Sequence, residues 1–204
     1  SSNITVKSIM VVSREGTPPP HEGYHTVYHQ LKKTSPKIAV GFGSASWFAG
    51  VNESINDEIL CDFTGFVVMP QVHQTDERSI MENLLSQHTI LETLRKQTGD
   101  KPANIHLLFS RVDDARLHTE FGAWWVLNAI ANLGASGIIT LSNIIGKNGI
   151  LNEGNARSPL VQLLQKIREF RSVRISCERN MSELDPMSSV RSSRVTLENA
   201  KGET

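Results

Sequence analysis

The stretch Pro-Gln-Val-His-Gln-Thr-Asp, residues 70–76, places five hydrogen-bonding side chains directly behind an apolar run, Phe63–Met69. An imidazole titrates near neutrality and can take up or release a proton during a reaction, which makes His73 a candidate general base. Gln71 offers an amide suited to substrate hydroxyls or to loop backbone. Asp76 is a carboxylate at the start of a helical pattern, where negative charge is favourable in itself. Ser-Arg-Val-Asp-Asp, residues 110–114, adds Ser110 and Arg111. The guanidinium of Arg111 could stabilise an oxyanion or pair with Asp113 or Asp114. Gly-Phe-Gly-Ser, residues 41–44, lacks both the lysine of a phosphate loop and the third glycine of a dinucleotide fingerprint. Gly43 therefore signals close backbone approach, of the chain to itself or to a ligand, with the hydroxyl of Ser44 beside it. Glu15 and Asn143 follow two further apolar runs. His21, His25 and His29 recur every fourth residue on one helical face, a spacing that can bind zinc. No glutamate lies between them as in H-E-x-x-H, and they read as a solvated or half-buried face. No metal and no cofactor are expected.

Such residues need a scaffold. Five short apolar runs read as strands: Ile4–Val12, Lys37–Gly41, Phe63–Met69, Asn104–Phe109 and Gly137–Leu141. They are mostly continuous rather than alternating, as in parallel strands covered on both faces. Helical patterns lie between and after them at His21–Lys33, Glu77–Gln97, Thr119–Leu133 and Pro159–Phe170, with a short segment at Phe48–Ile55. In the second of the four, Ile80, Met81, Leu84, Leu85, His88, Leu91 and Leu94 fall at three- and four-residue steps. Thr75 is its expected N-cap, Gly134 the expected stop of the third helix, and Ser158 the cap of the fourth. Strand–helix alternation predicts right-handed βαβ units and a parallel sheet. Strand starts fall about 33 residues apart, a spacing that suits a (β/α)₈ barrel. The fold class is α/β, with two closures open: the last five units of a TIM-like barrel, or a five-stranded open doubly wound sheet. Under either closure ligands sit beyond the C-terminal strand ends, which is where Glu15, Gly43, Ser44, Gln71, His73, Asp76, Ser110, Arg111 and Asn143 fall.

Lys+Arg and Asp+Glu each number 21 in the 204 residues, so net charge is zero. That argues against nucleic acid or an anionic membrane as partner. No apolar run is long enough to span a membrane, and Ser1–Ser13 lacks the features of a secretory signal. Cys61 and Cys177 match no metal spacing and read as free thiols of a reducing compartment, with the cytoplasm as the expected location. Residues 1–171 form the expected partial barrel. Residues 172–204, polar and serine-rich with one strand-like piece at Arg194–Glu198, form a linker and the start of a C-terminal β segment.

The motifs TPPP…LKKTSPKIAVGFGSASWFAGVNE, FTGFVVMPQVHQTDERSIMENLLSQHTILETLR and FGAWWVLNAIANLGASGIITL, in that order, resemble the D-apionate lactonase family. The resemblance implies a (β/α)₈ barrel flanked by β-rich domains, with the N-terminal barrel half expected upstream. It also implies hydrolysis of a sugar-acid lactone, a small molecule. In that scheme His73 is the base, Arg111 stabilises the oxyanion, and Gln71, Ser44 and Asn143 read hydroxyls. The family's glycine-rich strand end reads Gly-Gly-Gly-Thr-Asp with a Glu following, where this chain carries Phe42, Ser44, Ala45 and Gly50. An Asn commonly precedes the Pro-Gln-Val-His, where Met69 stands here. Two other functions stay open. A glycoside hydrolase needs two carboxyl groups about 5–9 Å apart; Glu15 could be one, but the fourth run has none before Asp113. A non-catalytic carbohydrate-binding relative needs neither.

Overall fold

The computed structural model describes residues 6–111, 114–134, 137–142, 154 and 156–169. Strands β1 (Ser8–Val11), β2 (Ala39–Trp47), β3 (Phe63–Val68), β4 (Ala103–Leu107) and β5 (Gly137–Leu141) alternate with helices α1 (His21–Thr34), α2 (Phe48–Ser54), α3 (Glu77–Thr98) and α4 (Glu120–Leu133), and α5 (Pro159–Glu169) follows β5. A 3₁₀ turn, Ala115–His118, precedes α4. The five parallel strands form one sheet in the order β1-β2-β3-β4-β5. A doubly wound sheet reverses its strand order at a switch point. This order has no reversal, so the strands are consecutive staves of a partial α/β barrel.

The chain divides into two compact units. The first comprises the described parts of Ser1–Val68, Ile90–His106 and Ser136–Thr140; the second those of Met69–Thr89, Leu107–Ala135 and Leu141–Thr204. In the first, β1 pairs with β2 from Ser8↔Ala39 to Val11↔Phe42, and β2 with β3 from Gly41↔Phe63 to Gly43↔Gly65. Alternation along β2 sends Val40 and Phe42 to one face, where the Tyr24 ring of α1 meets Phe42 edge-on at 5.1 Å. On the opposite face a Cβ at Gly43 would collide with the Gly65 carbonyl and the Met10 sulfur, and one at Gly65 would collide with the same sulfur. The two glycines make room for Met10 to lie across the sheet. Val51, Ile59, Phe66, Leu91, Leu94 and Ile105 complete this core, each contributing roughly 2 kcal/mol by leaving water.

The second unit packs around Trp125, fully buried with its ring 5.4 Å from that of Phe109, together with Ile80, Leu84, Leu117, Leu133 and Leu160. Gly122 lets α4 approach the 3₁₀ turn, because a Cβ there would strike the carbonyls of Arg116 and Leu117.

Most expected elements recur with shifted ends. β2 runs to Trp47 rather than Gly41, and β1 is Ser8–Val11, with Ile4 and Thr5 of the expected run outside the described residues. The cap of α3 is Asp76, not Thr75: its Oδ1 accepts from Ser79 N at 3.0 Å. His88 is exposed and does not join the buried stripe of α3. Gly134 closes α4 in right-handed conformation, φ −61° and ψ −31°, rather than as a left-handed stop. Ser158 caps α5, its Oγ accepting from Val161 N at 3.3 Å. The strand-like piece Arg194–Glu198 and Cys177 lie outside the described residues.

Candidate active site

In the sheet unit, the turn after β1 is closed by neutral groups. The hydroxyls of Ser13 and Thr17 lie 2.7 Å apart, and Gly16 N donates to Ser13 O at 3.0 Å. Ser44, only 1% exposed, donates to Gly16 O at 3.0 Å and accepts from Ser46 N at 2.9 Å. Ala45 N donates to Gly16 O at 2.8 Å. The hydroxyl expected to read substrate is thus committed to loop backbone, and the close approach signalled by Gly43 is of the chain to itself. Glu15 is exposed in the same turn, and Ala45 is exposed at the end of β2.

In the second unit a charged network holds the residues that follow β3. The Gln71 amide nitrogen donates to Phe109 O at 2.9 Å and to Asp114 Oδ2 at 3.1 Å. Its carbonyl oxygen accepts from Arg116 Nη2 at 3.3 Å. Arg116 grips Asp114 through Nε (3.0 Å) and Nη2 (2.7 Å), and its Nη1 donates to Thr75 O at 2.7 Å. Asp114 also caps its own turn, accepting from Arg116 N at 3.0 Å. Hydrogen bonds from Arg116 hold the Asp114 carboxyl below its ordinary range, outweighing the opposing effect of burial. The same bonds raise the Arg116 guanidinium. Asn83 Nδ2 reaches Pro70 O at 3.3 Å. Between these anchors Val72, His73 and Gln74 are exposed. Backbone bonds from Ser79 lower the pKa of the capping carboxyl of Asp76.

Of the sequence candidates, Gln71, His73, Asp76, Ser110 and Arg111 belong to this second unit, with Ser110 buried and Arg111 exposed. Glu15, Gly43 and Ser44 belong to the first. Asn143 and Asp113 lie outside the described residues. Asp114, one of the two expected partners of Arg111, pairs with Arg116. Sequence pattern marks Asp114 only as a possible partner of Arg111 and does not mark Arg116; an Asp one residue ahead of a short turn, with Arg two places on, is the available signal. His21 Nε2 donates to the Ser54 carbonyl at 2.6 Å. Among the described residues no group of three or more His, Cys, Asp or Glu could hold a metal, and no helix is long and apolar enough to cross a membrane.

Residues 2–109 match the model of the D-apionate lactonase TIM barrel domain. The chain belongs to the D-apionate lactonase family. A D-apionate lactonase of Brucella anthropi is 30% identical over 99 residues, covering 46% of this chain and 16% of that protein. The chain therefore spans a small part of the length of the curated relative it matches. No solved structure matches it. The family match takes in the turn after β1, the glycine-bearing strand β2 and the His73 loop, and ends before Arg111, Asp114 and Arg116.

Proposed function

We propose that the intact protein is a hydrolase that opens the lactone of a sugar acid, D-apionate lactone or a close analogue, in carbohydrate catabolism. The observation that carries this reading is the exposed imidazole of His73, held in a loop anchored on both sides, inside the family-matched stretch. His73 takes a proton from water as the water oxygen attacks the lactone carbonyl. Arg111 steadies the oxygen that becomes negative. Collapse of the tetrahedral species breaks the ring C–O bond, and the imidazolium returns its proton to the departing alkoxide. These 204 residues hold no Gly-x-Ser-x-Gly elbow, which favours water over serine as the nucleophile. Gln71 serves the loop rather than the substrate, since both its N–H groups are taken. The same proposal sets the reaction in the cytoplasm, with a small-molecule lactone as the only partner and the remaining barrel staves supplied by upstream sequence.

The test is His73→Ala in the intact polypeptide, assayed by release of acid from sugar-acid lactones. A loss of about 10²–10⁴-fold in kcat is expected; activity within about threefold of wild type ends this role for His73. Ala45, exposed where the family pattern has a carboxylate, favours a second reading: sugar-acid binding without turnover. Saturable binding by calorimetry with no acid released selects it.

A further inference from the structure

The loop from Gln71 to Thr75 is secured at both ends by one ion pair. Arg116 bonds the side chain of Gln71 and the carbonyl of Thr75, and Asp114 bonds the Gln71 amide while holding Arg116 in register. His73 stands midway, two residues from each anchor. The amide orientation of Gln71 follows from its neighbours, with nitrogen toward two acceptors and oxygen toward a guanidinium. The fork geometry is particular to arginine, because lysine offers a single point of charge. Arg116 in turn sits on a 3₁₀ turn whose carbonyls α4 approaches through Gly122.

We infer that Asp114 and Arg116 are positioning residues for His73: their ion pair sets the orientation of the imidazole without touching substrate. This rests on the lactonase reading above. Misplacement of a reacting group by about 1 Å can slow catalysis about 100-fold. Loosening the clamp therefore lowers kcat while leaving substrate binding nearly intact.

The experiment compares Arg116→Lys, Asp114→Asn and the double variant with wild type in the intact protein, with Arg78→Ala as control. Three readouts are taken: steady-state lactone hydrolysis, backbone ¹⁵N order parameters at residues 72–75, and amide exchange in the hydrogen-bonded helix α4. Each single variant is expected to lose about 10- to 100-fold in kcat, with KM within about twofold. The double variant should lose no more than the worse single one, because the pair acts as a unit. Order parameters at 72–75 should fall from about 0.85 to below about 0.6, with exchange in α4 unchanged. Full kcat in both single variants overturns the inference, as do order parameters at 72–75 that keep their wild-type values. A fall in kcat matched by loss of protection in α4 also overturns it, because the pair would then be holding up the whole unit. Wild type that hydrolyses no lactone defeats the functional reading instead; the order parameters at 72–75 then decide alone whether the clamp orders the loop.

Discussion

In the sheet unit the turn after β1 is tied by hydroxyls and backbone amide groups, all of them neutral, with Ser44 buried. In the second unit the His73 loop is tied by a carboxylate and a guanidinium that keep partial contact with solvent, their side chains 14% and 30% exposed. Neutral ties of the first kind are insensitive to pH and costly to remove, because the groups left behind are buried and unpaired. Charged ties of the second kind depend on protonation and tolerate exposure. Both follow from burial: Ser44 lies deep enough that an ion there would be expensive, whereas the loop after β3 is open to water on its far side.

The sharpest break of this contrast is at the glycines beneath the neutral cluster. Gly43→Val is expected to cost about 3 kcal/mol or more, since the new side chain meets the Gly65 backbone and cannot be accommodated by rotation. Urea unfolding measures it, and a change under about 0.5 kcal/mol would mean the strands can part. Next comes Ser44→Ala, expected to lose about 1–3 kcal/mol by orphaning Ser46 N–H and weakening the hold on Gly16 O. The loss should be the same at pH 7 and pH 5. A strong pH dependence would place an ionisable partner in that cluster.

Acid separates the two regions further. The pKa of Asp114 is lowered in the folded state, so its contribution is complete above the unfolded value of about 4 and is lost as pH falls through the folded one. Discounted for solvent screening, about 1 kcal/mol should disappear below pH 4 in wild type and not in Asp114→Asn. Chemical denaturation between pH 6 and pH 2.5 reads the difference; parallel curves would remove Asp114 from the acid response. Smallest is Arg78→Ala, which breaks an exposed pair with Glu82 on α3. It should change stability by no more than about 0.5 kcal/mol, and a larger effect would show that charge on that helix face supports the adjacent loop.

The strands were legible where apolar runs are continuous, as in Phe63–Val68. They were not legible where glycine replaces one face, and so β2 was cut short at Gly41 although it runs to Trp47. Periodicity marks which residues are buried, and a glycine facing a methionine sulfur leaves no such mark. Barrel stave and open sheet differ only in strand order, which no local pattern carries. Within the site, the strand-end rule picked out the loop of Gln71 and His73. It could not show that Gln71 bonds inward, because that depends on Asp114 and Arg116, more than 40 residues away in sequence. Arg111 lies next to Asp113 and Asp114 in sequence, so an ion pair is expected there first. A turn of 3₁₀ helix also brings Arg116 back onto Asp114, a folding-back that spacing alone does not reveal.

Met10 lies across two glycines with its sulfur where side chains would otherwise stand, and it is only half-buried. Sulfoxide formation there would add a polar oxygen to a sulfur packed where the side chains of Gly43 and Gly65 would stand. Oxidative damage at this one atom would press β1 away from its neighbours, and a methionine sulfoxide reductase would restore the fit.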